Sequence, residues 1–141
     1  MTGIDDGRAF GSEGTEGPWA VAIVDDNEDN RLLLQDILEM SGDFRCVAAY
    51  PDAGHALAGV STVKPELVLM DIDLPGVSGI ECTRQLKRWF PSLPVVMVSA
   101  RADEESIAAS RRAGCSGYLL KPFSVEQCLT LLRGAMRRRA A

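Results

Sequence analysis

Several short runs in this chain are apolar at consecutive positions, and a stretch with helical spacing follows each. Ala20–Val24 reads AVAIV, Leu67–Met70 reads LVLM, Pro94–Ser99 reads PVVMVS, and Gly117–Leu120 reads GYLL. Arg45–Tyr50 is a weaker run of the same kind. A strand apolar on both faces must be covered on both faces, and the intervening helices are the available cover. Right-handed crossovers then leave few arrangements. The pattern predicts an α/β fold, a three-layer α/β/α sandwich around a five-stranded parallel sheet of order 2-1-3-4-5. That is the flavodoxin-like arrangement.

The helices carry their own signals. In Arg31–Met40, Leu33, Ile37 and Met40 share one face, with Leu34 and Leu38 beside them. A second helix is expected around Asp52–Val60. Ser78 with Glu81, and Ser124 with Gln127, read as capping boxes that open two more. A helix from about Asp103 to Ala113 stops at Gly114. The last helix is expected to bury Val125, Cys128, Leu129, Leu132 and Met136. Met97, Trp89 and Phe90 read as packing residues, and His55 as a surface residue. Arg133, Arg137, Arg138 and Arg139 read as a solvated helix end that complements the dipole.

Residues 1–18 hold five glycines, four acids and few large apolar groups. Such a segment buries too little to offset the entropy of ordering, so a flexible acidic tail is expected there. The folded unit is expected over 19–138, with a short tail at 139–141. The whole chain, at 141 residues, is one domain's worth. A net charge of -5 argues against general nucleic-acid or membrane binding. No apolar run approaches the roughly 20 residues needed to span a bilayer, and no secretory signal is visible. The four cysteines are scattered, which fits reduced thiols in a cytoplasmic protein.

In a sheet of this order, ligands bind beyond the carboxyl ends of the strands. The residues there are Asp25 and Asp26 after the first run, Asp71 after the third, Ser99 at the end of the fourth and Lys121 after the fifth. The first and third strands are expected neighbours, so three carboxylates should converge. They repel one another unless a cation intervenes. Mg2+ is the natural partner, being hard and oxygen-seeking. Lys121 and the Ser99 hydroxyl complete a pocket suited to a phosphoryl group. A plainer reading remains for the first pair: acids favour helix N-termini, and Asp25 and Asp26 could simply cap the first helix.

DD after the first strand, MDIDLPGVSG after the third, VSA after the fourth and YLLKPF around the fifth together resemble the receiver domain of two-component response regulators. The resemblance covers roughly residues 19–138. It implies that Asp71 is the phosphoacceptor, and that Asp25, Asp26, Asp71 and the backbone carbonyl of Asp73 hold Mg2+. It implies that Lys121 pairs with a phosphoryl oxygen and that the Lys121–Pro122 bond is cis. Ser99 would be the switch hydroxyl and Tyr118 the aromatic that turns inward behind it. Asp73 and Arg101 occupy positions that tune phosphoryl lifetime in that family.

The implied partners are a histidine kinase or histidine phosphotransfer protein, and a downstream output protein or domain. A homodimer through the fourth helix, fifth strand and fifth helix is a further implication, with no direct nucleic-acid contact by this domain. The implied role is a switch rather than an enzyme. Two alternatives stay open. Asp71-Ile72-Asp73 resembles the nucleophile motif of haloacid-dehalogenase-type phosphatases, and AGCSGYLLK resembles receivers that precede a DNA-binding domain.

Overall fold

The computed structural model describes residues 18–140; the expected tail at 1–18 falls, but for Pro18, outside the described residues. Strands and helices alternate along the chain. They are β1 (Trp19–Val24), α1 (Glu28–Ser41), β2 (Phe44–Tyr50), α2 (Ala53–Val63), β3 (Leu67–Met70), α3 (Gly79–Trp89), β4 (Val95–Ser99), α4 (Glu104–Ala113), β5 (Gly117–Leu120) and α5 (Val125–Ala140). All neighbouring strands run parallel, in the order β2-β1-β3-β4-β5. The expected order is the one observed.

Alternate side chains of each strand serve opposite faces. Val21 and Ile23 of β1, with Leu67 and Leu69 of β3, pack against Leu34, Ile37 and Leu38 of α1 and Cys128 and Leu132 of α5. Ala22, Val24, Val68 and Met70 point the other way, toward Ala53, Ala56 and Val60 of α2 and Cys82 and Leu86 of α3. This double cover explains why β3 and β4 are buried at every position. Helix α4 is different. Its buried residues are Ser106, Ser110 and Ala113, all small, so little apolar area anchors it.

Several expectations need correction. In α1, Leu33 is 52% and Met40 79% exposed, and the buried stripe is Leu34, Ile37 and Leu38. Two adjacent apolar stripes competed, and the one nearer the sheet is the buried one. Val125, the first residue of α5, is exposed, while Cys128, Leu132 and Met136 are buried. Trp89 is half exposed at the end of α3, edge-on to Phe90. The arginines of α5 do more than solvate a helix end. Arg133 pairs with Asp43, Arg138 donates to the Ser116 carbonyl at 2.9 Å, and Arg139 lies 3.7 Å from Glu66. These contacts tie α5 to loops below the sheet. The helix also continues through Arg139 to Ala140, past the expected end at 138.

Caps match their sequence signals unevenly. Ser124 and Gln127 form a reciprocal box, each side chain accepting from the other's backbone N–H. Ser78 accepts from Glu81 N–H, but the Glu81 carboxylate turns to Arg84 instead of returning to Ser78. Gly114 closes α4 at φ 107°, a left-handed conformation that a side chain would strain. His55 is exposed as expected, yet it has a partner: its Nδ1 lies 2.7 Å from Asp52 Oδ1.

Candidate functional site

Three strands end at the same rim and each delivers an ionisable group. Beyond β1 come Asp25 and Asp26, beyond β3 comes Asp71, and beyond β5 comes Lys121. Backbone hydrogen bonds hold the strand ends in step: Asp71 N–H donates to Val24 O at 2.9 Å, and Lys121 N–H to Ser99 O at 2.9 Å. Carboxylate oxygens of Asp25, Asp26 and Asp71 lie within 4.8 Å of one another. Asp25 and Asp71 are buried, at 1% and 7% exposure, while Asp26 faces solvent.

The plainer reading of the first two acids does not hold. Asn27 is the N-cap of α1, its side chain accepting from Asn30 N–H. Asp25 instead accepts from Asn27 N–H at 2.9 Å through Oδ1. Its other oxygen, Oδ2, meets Lys121 Nζ at 3.2 Å. Arg31, a residue not singled out from sequence, donates from Nη1 to the Asp25 carbonyl at 2.7 Å and braces this turn.

Lys121 Nζ also stands 3.6 Å from Asp71 Oδ2. Burial pushes the Asp71 carboxyl above its ordinary range; the Lys121 ammonium opposes this and the Asp25 charge adds to it. A partly buried, oxygen-only donor set of this kind suits a hard divalent cation that keeps several waters, and Mg2+ fits it. The Lys121–Pro122 peptide bond is cis, as the resemblance implied.

The remaining expected residues lie on β4, on β5 and in the turn after β3. Ser99 is fully buried at the end of β4, and its Oγ accepts from Arg101 N–H at 3.0 Å. Tyr118 does not point at the acids: its hydroxyl donates to the Arg101 carbonyl at 2.6 Å, at the surface. Asp73 N–H faces Asp71 Oδ1 at 3.4 Å, while its carboxylate is gripped by the Arg101 guanidinium.

Sequence reasoning missed Gly79. A Cβ there would lie 1.8 Å from the carbonyl oxygen of Asp71, so only glycine lets the start of α3 approach the turn after β3. The Gly79 N–H donates to Ile72 O at 2.8 Å and closes that turn. The signal was present in the string PGVSG, but a glycine in such a string reads first as turn punctuation.

Beside the rim, Asn30, Leu33, Leu34, Val98, Ala100, Lys121, Pro122 and Phe123 line an open cavity of about 400 Å³. Half-exposed Leu33 forms part of its wall.

With fold and rim in view, the relatives agree. Residues 21–133 match the family described as the response regulator receiver domain. The chain is 37% identical over 121 residues to the KDP operon transcriptional regulatory protein KdpE of Escherichia coli, covering 86% of this chain and 52% of that protein. It is also 37% identical over 121 residues to the polar-differentiation response regulator DivK of Brucella anthropi, covering 82% and 94%. A CheY-like response regulator receiver domain protein from Methanospirillum hungatei superposes with a TM-score of 0.80 at 27% identity, covering 86% of this chain and 96% of that one. This chain therefore belongs to the receiver domains of two-component response regulators. It spans about half the length of KdpE and of the regulators DegU and PhoB that it also matches, and nearly the whole length of DivK. Among the described residues, no helix is long and apolar enough to cross a membrane.

Proposed function

We propose that this chain is a phosphorylation-dependent switch, with Asp71 as its phosphoacceptor. The observation that carries the reading is the convergence of three carboxylates within 4.8 Å, with Lys121 Nζ 3.6 Å from one of them. A carboxylate oxygen of Asp71 attacks the donor phosphorus. A new O–P bond forms, the bond from phosphorus to the donor breaks, and the donor leaves with its electron pair. Asp25, Asp26, Asp71 and the backbone carbonyl of Asp73 would hold Mg2+, which supplies positive charge against the phosphoryl oxygens. Lys121 pairs with a phosphoryl oxygen as a point charge, released from the acids as that oxygen arrives.

Ser99 reports the event, its hydroxyl exchanging the Arg101 N–H for a phosphoryl oxygen, and Tyr118 follows. The output is a shift of the face built from α4, β5 and α5. Weak anchoring of α4 through Ser106, Ser110 and Ala113 supports this, since a helix with little buried apolar area is cheap to move. The donor is a histidine kinase or histidine phosphotransfer protein, and the receiver of the signal is an output protein or an attached domain. The α4/β5/α5 face is also the surface for a homodimer. The setting is cytoplasmic, and the chain is a stoichiometric acceptor rather than a turnover enzyme.

The haloacid-dehalogenase-type reading loses ground. It needs Asp73 as a free general acid, whereas Arg101 engages that carboxylate, and it leaves Asp25 and Asp26 without a task.

Intact-mass measurement tests the reading. Acetyl phosphate with Mg2+ should add one phosphoryl group to the protein, Asp71→Asn should take none, and EDTA should suppress the gain. Equal uptake by Asp71→Asn would remove Asp71 from the role. Continued release of inorganic phosphate from a generic phosphate ester would restore the phosphatase.

A further inference from the structure

The two ends of the fold carry opposite charge. Each crossover helix returns the chain to the end where the strands begin, so the helix C-termini gather there. Their last turns are basic, with Arg88 in α3, Arg112 in α4 and Arg138 in α5 among the cations. Lys64 caps α2 at the same end. The first turns of α1, α3 and α4, at the acid rim, are acidic instead. Such placement complements the helix dipoles. It also leaves one end of an acidic protein with a concentrated positive charge.

A groove crosses this basic end. Two adjoining cavities, of about 220 and 240 Å³, share Pro65 and Leu93 in their walls. One reaches Phe90 and Lys64, the other Glu66 and Arg139. Val63 and Trp89, the chain neighbours of Lys64 and Phe90, are exposed apolar side chains. The chain enters the fold at the same place. Glu66 N–H donates to Ala20 O at 2.7 Å, and the Glu66 carboxylate accepts from Ala20 N–H at 2.9 Å. Residues 1–17 therefore join the fold beside the Arg139 end of the groove. They carry Asp5, Asp6, Glu13 and Glu16 against Arg8 alone, a net charge of -3, with Phe10 as their aromatic.

We propose that residues 1–17 dock on this basic end, in the groove between the C-termini of α2 and α3. Phe10 takes the apolar pocket of Val60, Pro65, Phe90 and Leu93, and the acids of the segment pair with Lys64 and Arg139. Length permits it: eight residues separate Phe10 from Pro18, up to about 27 Å of extended chain. Charge favours it, since an anionic segment meets a cationic surface. Alone, the segment buries too little to order itself. Tethering changes that requirement. A segment anchored at the groove's edge is present there at an effective concentration on the order of millimolar, so contacts too weak to hold a free peptide suffice. Exposed ion pairs contribute little singly, and the aromatic in its pocket sets the register. This surface lies at the end of the sheet away from Asp25, Asp71 and Lys121, so the docking stands or falls independently of the acceptor role.

The lysines make the test direct. The chain has three: Lys64 at the groove, Lys87, whose ammonium donates to the Pro91 and Leu93 carbonyls, and Lys121 at the acid rim. A zero-length carbodiimide, applied to the full chain, joins carboxylates to amines in contact, and peptide mass mapping of the monomer locates the links. Lys121 linked to Asp25 or Asp71 is the internal control. Links from Asp5, Asp6, Glu13 or Glu16 should form to Lys64 and outnumber those to Lys121. Phe10→Ser and Arg139→Gln should each lower the Lys64 links on the order of 5-fold. Raising the salt to about 1 M, where charges screen within about 3 Å, should lower them too. Links spread evenly over Lys64 and Lys121 would overturn the docking, as would no Lys64 link beside a positive control, or an unchanged Lys64 yield in Phe10→Ser. A mixture of isotope-labelled and unlabelled chains identifies the remaining occupant. Lys64 links found only between labelled and unlabelled chains would give the groove to a second copy and overturn the proposal.

Discussion

The Lys121 ammonium stands 3.6 Å from the Asp71 carboxylate and 3.2 Å from that of Asp25, so one cation serves two buried acids. Its own side chain is 22% exposed, which makes it the main local compensation for charge that water cannot reach. Lys121→Met should therefore destabilise the metal-free protein by about 1.5–3 kcal/mol, the range for a lost hydrogen bond to a charged group. Mg2+ should narrow the difference, because a divalent cation replaces the missing charge, and should bind the variant more tightly than wild type. Thermal unfolding in EDTA and in Mg2+, with a Mg2+ titration of each protein, checks both statements. Equal stability of the two proteins in EDTA would show that the ammonium compensates nothing.

Gly79→Ala should disturb the turn that carries Asp71 from behind. Its Cβ would meet the Asp71 carbonyl at 1.8 Å, and the neighbouring atoms are backbone, which cannot rotate away. Overpacking of this kind costs roughly 1–3 kcal/mol. Phosphoryl uptake from acetyl phosphate should fall along with stability if Asp71 is the proposed acceptor, since the same turn aims its carboxylate. Uptake at the wild-type rate in a folded Gly79→Ala protein would separate the turn from the chemistry.

Much of this was legible in the residue string, for reasons that also explain what was not. The bounds of β3 and β5 agree with the runs LVLM and GYLL because each run has abrupt breaks: Asp71 follows one, Lys121 the other. Strand order followed from double cover and right-handed crossovers, which leave few choices. The acids and Lys121 were found because strand ends are countable. Leu33 and Met40 were misassigned because helical spacing gives two neighbouring apolar stripes and no sign of which meets the sheet. The Asp73–Arg101 fork and the Tyr118 contact depend on the course of two loops, which no periodicity encodes. Gly79 differs again: its constraint lies in the distance to a carbonyl that is remote until the turn closes.

The buried acid should leave a pH signature. Burial holds the Asp71 carboxyl above its ordinary value, with Lys121 opposing and Asp25 adding to the shift. The folded chain then keeps this proton to higher pH than the unfolded chain. The associated stability is fullest below about pH 4, the unfolded value, and is lost as pH rises through the folded one. In EDTA, wild type should lose this component across that window while Asp71→Asn does not, leaving the variant more stable at neutral pH. With Mg2+ the ordering should invert, because the cation stabilises the protein that offers it more carboxylates. Unfolding midpoints across the pH range, with and without Mg2+, decide the matter; parallel profiles for the two proteins in EDTA would contradict it.

The thiols give an independent probe of the two packed faces. Cys128 faces the core from α5 and Cys82 the other core from α3, both at 0% exposure. Burial pushes the Cys82 thiol up to about 12 and the Cys128 thiol up to about 11. The thiolate is the reactive form, so neither should react at pH 8 while the fold is closed. Cys46 and Cys115 are half-buried, and burial raises their thiols too, so they should react slowly but first. Labelling with a disulfide reagent should give two adducts on the native protein and four in denaturant. The third and fourth should appear at the unfolding rate and together, because both faces share one sheet and cannot open while β1 and β3 remain paired. Separate rates for Cys82 and Cys128 would mean that the helices of one face detach on their own.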